Sequence, residues 1–300
     1  MSTSSPTKRR YQKAHERPDN PRTIRLQERD SQLLTAVHNY RFLTIEHIHA
    51  LFWSHASRSV CYDRVKWLYH NELLIRLILP SEPGQGRARH VYALAEEGAK
   101  LVARYLDTDL EALWWEPKEY KVSASKIQHT LDLSTYWVVL CRLAQLGKLQ
   151  IGKWYTDRQF NSKAFRDKVP FLQQGARHSR REPDGFHQLT FSPQQSTFSF
   201  FIENDEGSKD HGVWKSKIRA YVHFKNSGLS EKFYGTKNWR LLTITNGPRR
   251  LDNLIASTRE AGGGDFCWFT TWDEIDISRP ENYLEPIWKV AGLEGMYGLV

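Results

Sequence analysis

The side chains best placed for chemistry are three acids at the ends of two short extended stretches. Asp184 follows Pro183 at the start of one, and Glu203 and Asp205 close another that is rich in Phe198, Phe200, Phe201 and Ile202. Adjacent strands that each deliver a carboxylate at one end can hold a hard cation such as Mg²⁺, which polarises a phosphate and supplies hydroxide for phosphodiester hydrolysis. Asp184, Glu203 and Asp205 are therefore candidate metal ligands and candidate catalytic groups. A nearby lysine would stabilise the developing charge or orient the attacking water. A plainer role also suits these residues: Asp205 can hydrogen-bond the Gly207-Ser208 backbone in a strand-end turn, and Asp184 between Pro183 and Gly185 reads as a turn residue. His129 and Asp132, upstream on a long helix, are candidates for an extra ligand or a supporting partner, with a hydrogen-bonded packing role as the alternative for His129.

A second set of residues points to nucleic acid. Arg58, Tyr62 and Lys66 recur every fourth position and form a ridge beside a buried ridge of Cys61, Val65 and Leu68. Arg87, Arg89 and His90 lie beside flexible glycines at a hairpin tip. The stretch Lys163 to Arg181, which contains Arg177, Arg180 and Arg181, leads directly into Asp184 as a basic loop at the mouth of the acid site. The alternative for each of these is an ordinary solvated surface.

The distribution of charge agrees with a polyanionic partner. The 300 residues carry a net +9, but residues 1–25 hold +5 and residues 124–182 hold +7, while residues 26–105 hold only +2. With 40% hydrophobic and 13% aromatic residues the chain has enough apolar surface for real cores, which excludes a mostly disordered protein. No apolar run approaches the length of a membrane span, and the polar start MSTSSPTKRR lacks the apolar stretch of a secretory signal. Cys61, Cys141 and Cys267 are odd in number and far apart, as expected of reduced thiols in a cytoplasmic protein. Neither a Gly-rich phosphate loop nor a nucleophile elbow is present, so Mg²⁺ is the one cofactor implied, and only if the site is catalytic.

The elements that must position these residues follow from periodicity. Residues 1–25 have none and read as a disordered basic arm. Leu33, Leu34 and Val37 predict a first helix; Thr44 caps a second carrying Ile45, Ile48 and Leu51, after a break at Arg41-Phe42-Leu43; Ser57 caps a third. Strands from Leu73 to Leu79 and His90 to Leu94, then a helix over 95–105, complete a winged helix-turn-helix over residues 26–105. Residues 106–123, acidic and containing Trp114-Trp115, read as a linker that packs on something. From residue 124 to 300 a long helix, three strands and then alternating helices and strands predict an α/β domain with a mixed sheet, so the chain as a whole is α+β and α/β. Trp137, Trp239 and Trp268 belong to its core.

The acids resemble the PD-(D/E)xK nuclease superfamily, the restriction-endonuclease-like fold. Asp184 matches the first acid of that motif and Glu203 the second, but Asp205 stands where the motif has lysine. The resemblance implies that a lysine on the following helix, Lys215 or Lys217, takes its place, and the departure favours a domain kept for binding over one that cuts. The whole chain also resembles the replication-relaxation family of plasmids and mobile elements. That resemblance runs through Arg29-Asp30, Leu33-Leu34, Arg41-Phe42-Leu43-Thr44, Val91-Tyr92-Ala93-Leu94, Gly98, His129, Pro183-Asp184-Gly185, Glu203-x-Asp205-x-Gly207-Ser208, and Lys217 with Tyr221. It implies a role in plasmid replication or DNA relaxation, with mobilisation genes a frequent setting. The reading taken from it is a DNA-binding protein acting in replication, mobilisation or transcription control, with double-stranded DNA as its partner, other replication or mobilisation proteins as candidate partners and a homodimer left open. The alternative is a Mg²⁺-dependent endonuclease or nickase using Asp184, Glu203, Asp205 and Lys217. A third class, a winged helix serving protein assembly, predicts no salt-dependent DNA binding.

Overall fold

Helical spacing of apolar residues runs from Glu28 to His70 and gives way to extended chain beyond it, and the first part of the molecule is built on that change. The computed structural model describes residues 17–79, 89–117, 120–161, 183–207 and 210–300. Its contacts divide the chain into two units, Met1–Leu131 and Asp132–Val300.

The first unit contains α1 (Glu28–Tyr40), β1 (Leu43–Thr44), α2 (Ile45–Phe52), α3 (Arg58–His70), β2 (Leu74–Leu79), β3 (Arg89–Leu94) and α4 (Glu96–Tyr105). Three antiparallel strands lie in the order β1-β3-β2. Leu33, Leu34, Val37, Ile48, Cys61, Val65, Leu68 and Val102 meet in one buried cluster, so each helix turns its apolar stripe inward. The expected break before the second helix is ordered: Phe42 is fully buried, and Leu43 and Thr44 pair with Tyr92 and Val91. Thr44 caps α2 by accepting from the His47 N–H, while His47 Nδ1 accepts from the Thr44 N–H at 3.3 Å. Burial, with Arg89 nearby, pushes the His47 pKa down to about 4, so the ring is neutral as this acceptor role requires.

Helix α3 is fixed from behind. Asp30 of α1 is buried and accepts the Arg64 guanidinium, whose Nε lies 2.8 Å from Oδ1. The expectation of a disordered arm over residues 1–25 is corrected at its end, since residues 17–25 run along α3. Arg17 donates to the carbonyls of Tyr69 and Leu74 at 2.9 and 3.0 Å and lies 4.8 Å from the Tyr69 ring centre. Arg22 stacks 5.4 Å from the Trp67 ring centre, Asn71 donates to the Arg22 carbonyl, Arg64 donates to the Arg25 carbonyl and Ile24 packs on the core. These are cation–π and side-chain-to-carbonyl contacts, which leave no periodic apolar signature. Residues 1–16 lie outside the described residues. The stretch expected to be a linker packs within this unit: Leu113 is buried, and Trp115 packs on the core and donates to the Leu94 carbonyl at 3.3 Å.

The long helix α5 (Ala124–Gln145) leads into the second unit, which continues with β4 (Leu149–Thr156), α6 (Asp157–Asn161), β5 (Gly185–Phe191), β6 (Ser196–Asp205), α7 (His211–Asn226), α8 (Leu229–Tyr234), β7 (Trp239–Thr245), α9 (Pro248–Glu260), β8 (Cys267–Thr271) and β9 (Lys289–Val290). The sheet order is β4-β5-β6-β7-β8-β9; β6, β7 and β8 are parallel and the other pairs antiparallel, giving the expected mixed sheet. One face is covered by α7, α8 and α9 through Phe201, Trp214, Tyr221, Phe224, Tyr234 and Leu254. On the other, Tyr136 and Trp137 of α5 pack against His187, with the Tyr136 hydroxyl 2.9 Å from both His187 Nε2 and the Tyr283 hydroxyl. Trp137, Trp239 and Trp268 are buried as expected. Cys61, Cys141 and Cys267 are free thiols. No helix among the described residues is long and apolar enough to cross a membrane.

Gly185 lets β5 approach this layer closely. A Cβ there would sit 2.8 Å from both Ile202 Cγ2 and Trp137 Cζ2, below any normal contact. Gly185→Ala should therefore lower the thermal unfolding midpoint of the second unit, with a loss of roughly 1–3 kcal/mol from overpacking. Differential scanning calorimetry checks this, and an unchanged midpoint would show that β5 can shift without penalty.

Candidate functional site

Strand β6 runs through Phe198, Phe200, Phe201 and Ile202 into Glu203, Asn204 and Asp205, the last three all buried, so its end buries carboxylates that need partners. Glu203 and Asp205, two residues apart, point to the same face, while Asn204 points to the other. Asp184 continues the β5–β6 ladder: its N–H donates to the Ile202 carbonyl at 3.1 Å and its Oδ2 accepts from the Asn204 N–H at 2.7 Å. The three expected acids thus come to one end of two adjacent strands.

Each is met by groups of the chain itself. Glu203 is buried; Oε2 forms an ion pair with Lys217 of α7, and Oε1 accepts from the Tyr221 hydroxyl at 2.5 Å. Burial, and then the negative charges of Glu203 and Asp184, push the Tyr221 hydroxyl well above its ordinary pKa, so it stays a donor. Lys217 and Tyr221 lie one helical turn apart, which lets one face of α7 present both to one carboxylate. Lys215, the other expected lysine, points elsewhere and pairs with Glu260.

Asp205 is held more completely. Arg250 grips it as a fork, Nε to Oδ2 at 2.8 Å and Nη2 to Oδ1 at 2.9 Å, while Oδ2 also accepts from Thr245 Oγ1 at 2.8 Å and the Gly207 N–H at 3.2 Å. The Gly207 bond is the strand-end turn weighed as the plainer role for Asp205. Burial raises the Asp205 pKa, but the bonds from Arg250 and Thr245 outweigh it and hold the group below its ordinary 3.8. Arg250 sits in the first turn of α9, where the helix dipole disfavours a cation, and the Asp205 fork offsets that. On the opposite face, Asn204 Nδ2 donates to Asp132 Oδ2 at 3.3 Å and its Oδ1 accepts from Trp272 Nε1 at 3.0 Å. Asp132 therefore supports β6 from behind. His129 lies on α5.

A Mg²⁺ site needs carboxylate oxygens that can turn to the ion. Asp205 has both oxygens on Arg250, and Glu203 has one on Lys217 and one on Tyr221. Among the described residues no three His, Cys, Asp or Glu side chains gather as a metal-binding group. In this arrangement the oxygens of Glu203 and Asp205 are taken by groups of the chain itself, and one oxygen of Asp184 by the Asn204 N–H. Sequence reasoning missed Arg250 and Thr245 because they are brought to Asp205 by parallel pairing of β6 with β7, which no local pattern specifies.

The nucleic-acid candidates of the first unit lie on and near α3. The turn into this helix is fastened by His49 Nε2, 2.9 Å from the Ala56 carbonyl. Arg58 and Tyr62 are exposed, Lys66 is half-buried, and Arg58 is ion-paired with Glu46 of α2. Arg89 is exposed at the start of β3. Arg87, Arg177, Arg180 and Arg181, with the rest of the basic loop, lie outside the described residues.

Comparison with known proteins agrees with this picture at the level of family. The replication-relaxation family model matches residues 34–238, more than half of the chain, and the protein belongs to that family. No curated protein sequence matches it. A solved structure of the restriction endonuclease FokI is similar over 85% of this chain and 43% of its own length, at 13% identity and a TM-score of 0.31, an overlap from which no chemistry is carried across.

The Asp205 fork has a pH signature. A carboxyl whose pKa is depressed by folding contributes stability that is complete above the unfolded value and lost as pH falls through the folded one. Asp205→Ala, which strands Arg250, should destabilise the second unit by about 3 kcal/mol near neutral pH. In urea unfolding the gap between variant and parent should close as pH falls below 3.8. A gap independent of pH would assign the loss to packing instead.

Proposed function

We propose that this replication-relaxation family member is a cytoplasmic DNA-binding factor of a plasmid or other mobile element. It acts in replication, mobilisation or transcription control, and its C-terminal domain binds DNA or partner proteins without cutting. The observation that carries the non-catalytic part is the Asp205–Arg250 fork: the acid in the place of the motif lysine is neutralised within the chain. Support for the DNA-binding part is the α2–turn–α3 pair, completed by the antiparallel β2–β3 pair, with Arg58, Ser59, Tyr62 and Asp63 of α3 exposed among the described residues. In a helix-turn-helix protein the second helix of the motif enters the major groove. Glu46 holds the Arg58 guanidinium at the start of α3, an arrangement suited to presenting its fork to guanine O6 and N7. Arg89 would contact backbone phosphate from the hairpin. Further replication or mobilisation proteins, and a second copy of the chain in a homodimer, are the partners this role calls for.

A second reading, a Mg²⁺-dependent endonuclease or nickase, is favoured by one observation: Lys217 reaches Glu203 from α7, where a displaced motif lysine would act. It requires Asp205 to leave Arg250.

Duplex DNA should be shifted in a gel, with log Kd against log salt rising by roughly 0.9 for each phosphate contacted. Arg58→Ala should weaken binding to the selected site by about 5- to 150-fold if it reads guanine. Supercoiled plasmid incubated with Mg²⁺ or Mn²⁺ should remain intact. Metal-dependent nicking that disappears in Glu203→Gln would establish the second reading, and the absence of any shift would sink the first.

A further inference from the structure

The residue at the centre of the outward side of α3 is an acid. With about 3.6 residues per turn, the buried line of Cys61, Val65 and Leu68 places Ser59, Asp63, Lys66 and His70 on the opposite side of the helix. Arg58 and Tyr62 fall on one flank of that line. Asp63 is exposed and, among the described residues, has no ion-pair or hydrogen-bond partner.

The cations of the same helix do not compensate it. Arg58 is engaged with Glu46, and Arg64 with Asp30 and the Arg25 carbonyl. His70 is held below its ordinary pKa by partial burial and by Lys66, Arg76 and Arg17, and so adds no charge near neutral pH. What remains on the outward line is Lys66 beside Asp63, a face with no excess of positive charge.

Asp63 has no task in the folded chain either. It lies in the second turn, beyond the first turn where an acid benefits from the helix dipole. Aspartate is a weak helix former, and the available partners at helical spacing do not pair with it. Facing DNA, an unpaired carboxylate repels every phosphate it approaches. It gains only where a base edge offers a donor.

We infer that Asp63 is a specificity residue that accepts a hydrogen bond from the N4 amino group of a cytosine in the major groove; this rests on the DNA-binding reading above. Cytosine is the base that suits it, because adenine sets its N7 acceptor beside its amino group and would repel the second carboxylate oxygen. Asp63 then discriminates between sequences while lowering affinity for DNA in general.

The test uses the full-length protein and its exposed position, where substitution leaves the fold intact. A random-core duplex library is selected for binding, and the selected site is titrated with each base at each position. The parent protein should lose about 5- to 150-fold in affinity when one cytosine is replaced, the usual cost of a mismatched base pair in a specific site. Asp63→Ala should lose that preference while binding non-specific duplex at least as tightly as the parent. Asp63→Asn, whose amide matches adenine N6 and N7, should move the preference at that position to adenine. Binding without a cytosine-dependent position, or a preference retained in Asp63→Ala, overturns the inference and leaves the DNA-binding reading standing. Failure of the parent to bind any duplex overturns both.

Discussion

A carboxylate withdrawn from water must be matched by donors, and β6 ends by withdrawing two. Glu203 and Asp205 are both nearly inaccessible, so whatever packs over the end of that strand must bring cations with it. Helix α7 brings Lys217 and the Tyr221 hydroxyl, and α9 brings Arg250. Two of the three helices that cover this face are therefore tied to the strand by charge as well as by Phe201, Trp214 and Leu254. On the reverse side Asn204 repeats the arrangement with neutral groups, joining α5 through Asp132 and the segment after β8 through Trp272. One strand end thus sets the position of elements on both layers.

Much of this was legible in the sequence where it depended on local pattern. The order of helices and strands follows the spacing of residues such as Leu33, Leu34 and Val37 or Phe198 and Phe200, and Pro183-Asp184-Gly185 and Glu203-x-Asp205 mark the two strand ends that come together. What stayed hidden depends on contacts distant in sequence. Asp205 and Arg250 are joined through the parallel pairing of β6 and β7, and the choice of Lys217 over Lys215 depends on which side of α7 meets the sheet. Residues 17–25 were invisible for a different reason: arginines stacked on Tyr69 and Trp67 contribute order without any apolar repeat.

In the proposed function the two units would share DNA recognition unevenly. The first presents a helix whose arginines are already oriented by acids, Arg58 by Glu46 and Arg64 by Asp30, so its outer side is close to neutral. On the DNA-binding reading such a surface would discriminate better than it grips. The excess positive charge of the chain lies in residues 1–25 and 124–182, outside α3. In the proposed function those stretches supply the salt-sensitive attraction that the helix lacks.

The segment laid along α3 also bears on how the chain can be shortened. Residues 1–25 look, by composition, like a single removable tail, and deleting them is the obvious way to measure what their charge contributes. Cutting after residue 25 would also strip Arg17 and Arg22 from the rings of Tyr69 and Trp67 and leave the Leu74 carbonyl without its donor. A weaker complex made that way would mix lost attraction with a loosened helix. The natural cut lies ahead of Arg17, where charge can be trimmed and the scaffold of α3 kept.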